Sequence, residues 1–472
     1  MFKRFNLAIC LLMIPAVLAA QGRSGLRYVD PTIGGVGVLL QPTRPTVQIP
    51  NQIIRWSPSR ADLLDDRISD YPLTLTSHRQ QSVFGFLPLV PGCFDGQIWD
   101  ARQVYDDEVT TPYEYRARLE GCSIRFSAAP RSGIIDVDFD NPSGGVLRFR
   151  ILNGHGGYEL KDPYTIIGRE DFFGISAYTC IVSDKPLTNL QTSPDGLQIS
   201  VIAGYGKVGL RYGISYISTG QAGTNLEKEI PEQDIDKVSR SAESEWEKTM
   251  GRIKVKGGTE DQKRLFYTSY YRCCERMVNI SEYGRYYSAF DHQVHSTDKP
   301  FYTDNWIWDT HVALEPLHTI LNPTMEAEKI NSYIEMYRQC GEIPSFATMT
   351  GAWAAMTGNY AATWMADGLC KGLKFDLETG YEGVKKNSLE CTLLPWRDGE
   401  KSELDDFYNE HGFMPALRPG EQETCPQVDT NWERRQSVSI VTANSYSDWC
   451  IAQIAHKLNK PEDEALFMKR AA

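Results

Sequence analysis

Between Phe301 and Leu317 the chain sets three acids, Asp304, Asp309 and Glu315, beside Trp306 and Trp308. The run opens into what reads as an apolar helix. These residue types suit one chemistry together: a sugar ring stacks its C–H face on indole while its hydroxyls need carboxylate acceptors. A core helix whose tryptophans only pack would have the same composition, so the rest of the chain has to decide between the two.

The elements that must position this run fall into two textures. From Tyr28 to about Gly223 short alternating stretches, such as Gly145–Ile151 and Gly196–Ile202, are separated by Gly, Pro, Asn and Asp. Many short strands at that spacing predict an antiparallel sandwich. At Pro231 the texture changes to a polar segment with Ile235, Val238, Ala242 and Trp246 as an apolar stripe at helical spacing, which predicts a linker helix lying across something larger. Gly257-Gly258 closes it, and Thr259-Glu-Asp-Gln262 is a capping-box start for the next helix. Helical segments then dominate, over about 259–278, 308–321, 324–340, 356–372, 378–388, 437–458 and 461–470. Paired helices with elaborate loops predict a toroid, and the helices are too few to close six pairs. The expected fold is therefore a multi-domain β + α chain: an N-terminal antiparallel β-sandwich (21–225), a helical linker (226–257) and an incomplete (α/α)6 toroid (258–472).

The bulk numbers bound the function. Residues 1–20 read as a secretory signal peptide, with Lys3 and Arg4 basic, Ile9 to Leu18 apolar, and Leu18-Ala-Ala20 small enough for cleavage before Gln21. The apolar stretch is too short to span a bilayer, and no later segment approaches that length. The expected location is periplasmic or secreted. A net charge of −12 argues against nucleic acid or an anionic membrane as partner, and an aromatic content of 11% suits a carbohydrate surface. Eleven cysteines include Cys10 in the leader; the others are scattered without metal-like spacing, and their connectivity is not readable.

The order of motifs resembles glycoside hydrolase family 92, the exported calcium-dependent α-mannosidases. Val29-Asp-Pro-Thr-Ile-Gly-Gly35 resembles the family's V-(N/D)-P-x-I-G opening, and Phe301–Leu317 its Y-T-x-F-S-L-W-D-T-x-R-A-L-x-P-L. Asn331–Pro344 is similar to N-S-x-x-x-M-Y-x-Q-x-G-x-x-P. Met356–Tyr360 with Ala366–Gly372 is similar to M-x-G-D-H … A-D-A-x-x-K-G. Ser437-Val-Ser439 with Asp448–Gln453 is similar to S-V-S-x-T-L-E-Y-A-Y-D-D-W-C-I-A-Q. The resemblance runs from Tyr28 to about Lys460. It implies an inverting exo-mannosidase acting on mannose-containing glycans, with a bound Ca²⁺ helping to hold and distort the terminal sugar. An acid must protonate the leaving oxygen and a base must activate water on the opposite ring face, roughly 6.5–9.5 Å away.

Departures from the family pattern bear on that chemistry. The glutamate of T-L-E-Y-A-Y-D-D-W, the family's general acid, falls on Ala443, which has no proton to give. Asn359-Tyr360 replaces an Asp-His pair, Pro50–Pro58 stands in place of a P-F-G-M region, and the segment carrying the family's base is not in this sequence. Losing a general acid costs about 10²–10⁴-fold in rate. Within the motif, Trp308 and Asp309 are the expected contacts to a terminal mannose, with Trp306 and Asp304 evenly balanced between contact and core. Glu421, Glu423 and Glu433 could supply a displaced acid, although solvated loop carboxylates are the plainer reading. Asp448 is expected to pair with a basic neighbour. His292, His295, His311 and His318 have no metal-site spacing, and Gly34, Gly35 and Gly37 either line the pocket from the sandwich side or, more plainly, allow a turn. An impaired mannosidase, a catalytically dead glycan or protein binder, and a fragment of a longer enzyme all stay open at this point.

Overall fold

The structure is a computed structural model that describes residues 25–37, 42–77, 81–94, 96–431 and 434–472. The expected leader, Met1 to Ala20, lies outside the described residues, as does Glu433. Two compact units emerge. One takes the chain to Glu170 with Tyr178–Ile214 and Ala222–Glu275; the other takes Asp171–Ala177, Ser215–Gln221 and Arg276–Ala472. No helix among the described residues is long and apolar enough to cross a membrane.

The first unit is built on two sheets, of five and nine strands. The two stretches expected as strands pair with each other: Gly145–Arg150 runs antiparallel to Gln198–Ala203, with Val146 opposite Ile202. Aromatic side chains join the inner faces of the sheets. Trp56 stacks between Tyr71 and Phe126 with ring centroids 4.9 and 4.2 Å away, and Tyr212 donates to the Leu73 carbonyl at 2.7 Å. The strand Ile175–Ser183 alternates buried and half-buried residues, as a one-sided strand should. Ser132–Phe139 is buried on both faces instead. Its outer face is covered by helix α1 (Thr219–Glu229) and helix α2 (Ile235–Met250), whose Leu226 and Ile235 pack with Ile230 on Ile134. Trp246 of α2 donates its indole N–H to the Gln48 and Pro112 carbonyls. Helix α3 (Glu260–Cys273) begins with the capping box at Thr259 and Gln262 that the sequence signals.

The sequence predicts strand texture where α1 forms. Gly220 and Gly223 weaken that helix, and the burial of Ala222 and Leu226 overrides their propensity.

In the second unit the helices are α4 (Ile307–Thr310), α5 (Leu314–Leu321), α6 (Pro323–Cys340), α7 (Tyr360–Cys370), α8 (Leu377–Leu389), α9 (Glu403–His411), α10 (Ser437–Lys457) and α11 (Pro461–Ala471). Helix α6 has Pro323 in its first turn and ends on Gly341 at φ 82°, the asymmetry expected of a well-marked helix. The single helix expected over 308–321 is instead two. Pro316 has no N–H to bond the upstream turn and its ring would strike the carbonyl of residue 312, so the helix restarts at Leu314. Helix α9 was not expected, although Ser402 and Asp405 form a capping box and Gly412 ends it at φ 81°. The long helix α10 is the packing centre, set against α7, α8 and α11.

Candidate active site

Three short strands, Asn305–Trp306, Phe346–Thr348 and Gly351–Trp353, form a small antiparallel sheet beneath the helices. Its register puts Trp306 opposite Phe346 and Phe346 opposite Trp353, which lines up three aromatic side chains on one face. Trp306 meets Phe346 at 5.1 Å and Trp353 at 5.3 Å, both edge-to-face, and Trp396 continues the row 5.8 Å from Trp353. Trp308, Met356 and Trp396 pack against this cluster. Asp304, Met356 and Trp396 all sit at left-handed φ, of 65, 58 and 60°. Such backbone costs about 1–3 kcal/mol per residue and gathers at binding sites.

Beside the aromatic row lies a cavity of about 260 Å³, walled by Ile307, Glu342, Trp353, Asn359, Asp398 and Asn444 among others. Glu342 and Asp398 are its carboxylates. The Gly399 N–H donates to Glu342 at 3.3 Å. The buried Cys391 thiol is pushed up to about 12, first by burial and then by the Glu342 charge. Asn359 donates to the Val384 carbonyl at 2.7 Å and to Ser388 at 3.3 Å; Ser388 donates in turn to Asp448 at 3.0 Å. Tyr360, where the family pattern has histidine, stacks on His311 with centroids 4.1 Å apart. His311 Nδ1 faces the Ile307 and Trp308 carbonyls, and burial lowers its pKa, so the ring is held neutral.

A buried polar network positions the motif that carries Trp306 and Trp308. Thr310 donates to Asn305 at 3.0 Å and Asn305 donates to Glu315 at 3.0 Å. Lys329 of α6 stands 3.6 Å from Glu315 and 3.3 Å from Glu326, and Trp364 of α7 donates to Glu326 at 2.7 Å.

The residues singled out by sequence are placed as follows. Trp306 is 8% exposed and lies in a strand within the aromatic cluster, where the start of a helix was expected. Trp308 is half-buried against that cluster, Asp309 is exposed on α4, and Asp304 is buried. Ala443 is buried on α10, next in sequence to the cavity-lining Asn444. Asp448 pairs with Arg470 at 2.9 Å, the basic neighbour expected for it. Glu423 is not a solvated loop carboxylate: it forms a 2.6 Å pair with Arg435 in which both side chains are mostly covered. The Arg435 hydrogen bonds hold its carboxyl below the ordinary range, which unsuits it to donate a proton. Glu421 is exposed and accepts from the Arg418 N–H at 2.6 Å. Gly34 takes φ 83° in a turn. Trp353, Trp396 and Glu342 were not found by sequence reasoning; they come from connections without periodicity, and the local signals are no more than Trp396 after Pro395 and Glu342 after Gly341.

Calcium takes 6–8 oxygen ligands, several of them carboxylates. Among the described residues no three His, Cys, Asp or Glu side chains converge on one point suited to a metal ion.

Residues 221–472, more than half of the chain, match the glycosyl hydrolase family 92 catalytic domain, and the chain belongs to that family. Among solved structures it is similar to a family 92 inverting mannosidase from Bacteroides thetaiotaomicron, with a TM-score of 0.82 at 22% identity over 95% of this chain and 64% of that one. A family 92 α-mannosidase from the same bacterium, solved also with mannoimidazole, gives a TM-score of 0.81 at 20% identity over 95% and 65%. An uncharacterized secreted glycosidase from the fungus Arthroderma benhamiae is 25% identical over 269 residues, 56% of this chain and 29% of its own length. The chain thus spans just under two thirds of the solved relatives it matches. These likenesses establish a mixed fold of N-terminal antiparallel sheets and C-terminal helices.

Proposed function

We propose that the chain is an exported glycoside hydrolase of the exo-α-mannosidase type, directed at mannose-containing glycans, with inversion as its chemistry and the helical unit as part of an (α/α)6 toroid. The observation that carries this reading is the aromatic row at a cavity holding two carboxylates and several amide groups, in a chain that belongs to family 92. An indole platform takes the apolar ring face, and acceptors take the hydroxyls. Trp308 and Asp309 are assigned to the terminal mannose, with Trp306 behind them. Export rests on the basic-apolar-small leader, and the fungal relative is described as secreted.

The same geometry supports impaired hydrolysis. Ala443 presents a methyl group where the motif carries its acid, and Asp448, on the next turn, is tied to Arg470. Within the cavity the proton carriers are Glu342 and Asp398. A leaving group that departs as a stable anion needs no proton, so dinitrophenyl mannoside should be hydrolysed far better than mannobiose. A second reading, a glycan binder that performs no chemistry, draws on Ala443 alone.

The test is turnover of both substrates by the purified chain, with and without Ca²⁺, beside calorimetric titration with mannose. Mannose heat with slow, leaving-group-dependent turnover supports an impaired mannosidase. Mannose heat without turnover of either substrate favours the binder. Absence of heat at millimolar sugar sinks both, and brisk mannobiose hydrolysis would refute impairment.

A further inference from the structure

Of the described residues, four that carry a hydroxyl line the cavity beside the aromatic row: Ser345, Thr357, Tyr360 and Thr392. Thr357 donates to the Leu393 carbonyl at 3.3 Å and Thr392 to Asp405 at 2.8 Å, so both are spent inside the fold. The Ser345 and Tyr360 hydroxyls have no hydrogen-bond partner among the described residues. Both residues are half-buried, and neither oxygen is among the sealed polar atoms of the interior. Each therefore keeps open surface that a small molecule can touch.

Tyr360 is the more firmly held of the two. Its ring stacks on His311 with centroids 4.1 Å apart and planes 19° apart, and His311 Nδ1 in turn faces the Ile307 and Trp308 carbonyls. The ring edge lies over Gly358, where an added Cβ would stand 2.5 Å from Cε2 and 2.8 Å from Cζ. Gly358 lines the same cavity at φ 101°, and glycine alone gives both that backbone and that clearance. The phenol is thus fixed before any ligand arrives. A donor held in this way loses little freedom on binding, so its hydrogen bond shows up in affinity. Burial raises the phenol pKa, which keeps the proton on across neutral pH and suits the group to donating a hydrogen bond, not to acting as an acid.

We propose that the Tyr360 hydroxyl donates a hydrogen bond to one hydroxyl oxygen of the sugar held in this cavity and so selects for that position of the ring. The inference rests on the mannose reading of the site and adds to it a specificity-determining residue. The family pattern has histidine at this position, so the phenol is a feature of this chain's own sequence. One neutral hydrogen bond of this kind is worth about 2- to 13-fold in affinity.

The test is calorimetric titration of the full chain with mannose and with its 2-, 3-, 4- and 6-deoxy analogues, in the wild type, Y360F and S345A. Y360F removes one oxygen and keeps the ring on His311. It should bind mannose about 2- to 13-fold more weakly than the wild type does. One deoxy analogue should bind both proteins equally, since that analogue has already lost the bond. The thermal midpoint of Y360F should match the wild type, because the hydroxyl has no partner inside the chain to lose. S345A should keep the wild-type pattern across the analogues. Equal mannose binding by Y360F and the wild type, or a Y360F loss of one size for mannose and all four analogues, overturns the assignment while the mannose reading stands. So does a pattern that shifts in S345A and not in Y360F, which hands the contact to Ser345. A Y360F chain that melts well below the wild type or fails to fold would show the oxygen bonded within the fold, and overturns it too. A wild type that binds no mannose removes both readings.

Discussion

Lys329 is a fully buried ammonium held between two fully buried carboxyls, 3.6 Å from Glu315 and 3.3 Å from Glu326. Burial pushes the Glu315 carboxyl up, but Lys329 and a hydrogen bond from Glu326 outweigh it and hold it below its ordinary value. Burial, with the Glu315 charge added, holds Glu326 well above its own. One proton therefore stays on Glu326 and one negative charge on Glu315, balanced by Lys329. Lys329→Met would strand that charge in the interior, and breaking a buried pair in this way costs about 3–5 kcal/mol. Without Lys329 both folded carboxyls rise above their unfolded values, so the penalty is small below the unfolded carboxylate range and grows as pH increases. Urea unfolding of K329M should accordingly show a larger loss at pH 8 than at pH 4. An equal loss at both would mean that the cavity left by the lysine stem, and not charge, dominates.

Elements succeed or fail here by whether their residues agree with their surroundings. The helices with caps and apolar stripes were legible: α3 through Thr259 and Gln262, and α6 through Pro323 and Gly341. What sequence could not show was tertiary override in α1, the break at Pro316, and the strand character of Trp306, which depends on partners forty residues away. The sheets have a comparable hidden joint in Glu170. Its carboxylate accepts from the Phe84, Leu152 and Asn153 backbone N–H groups at 2.7 Å and from the Asn153 side chain at 2.6 Å. Burial nevertheless pushes its carboxyl up to about 7, against the pull of those donors. A raised acid contributes stability that is whole below the unfolded pKa and is lost as pH climbs through the folded one, here between about 4.5 and 7. Glu170→Gln removes that slope while turning one N–H₂ toward the donors. The Gln variant should gain on the wild type by roughly 2.5 kcal/mol between pH 5 and pH 8, measured as the difference of their unfolding free energies. A difference that does not move with pH would show that the four donors keep the carboxylate at its ordinary acidity.

At the scale of the whole chain, composition narrowed the class and motif order supplied the family, whereas the cavity was invisible because its walls come from segments distant in sequence. Glu342, Trp353, Trp396 and Asn444 carry no shared spacing, and only folding puts Trp353 near Trp396. The cysteines, whose pairing sequence could not settle, are all free among the described residues, and their fates differ by environment. Cys370 is exposed. Cys340 is exposed as well, but burial of its thiol raises its pKa. Cys122, Cys391 and Cys450 are buried, and burial pushes each thiol up to about 12 from an ordinary value near 9.0. Three pKa units mean about a thousandfold less thiolate, the species that reacts, before access is even considered. Iodoacetamide at pH 8 should therefore label Cys370 first and Cys340 more slowly, leaving Cys122, Cys391 and Cys450 unmodified until denaturant is added. Timed peptide mass mapping of the native chain reads this order directly. Labelling of Cys391 as fast as Cys370 would mean that the cavity wall around Glu342 opens in solution.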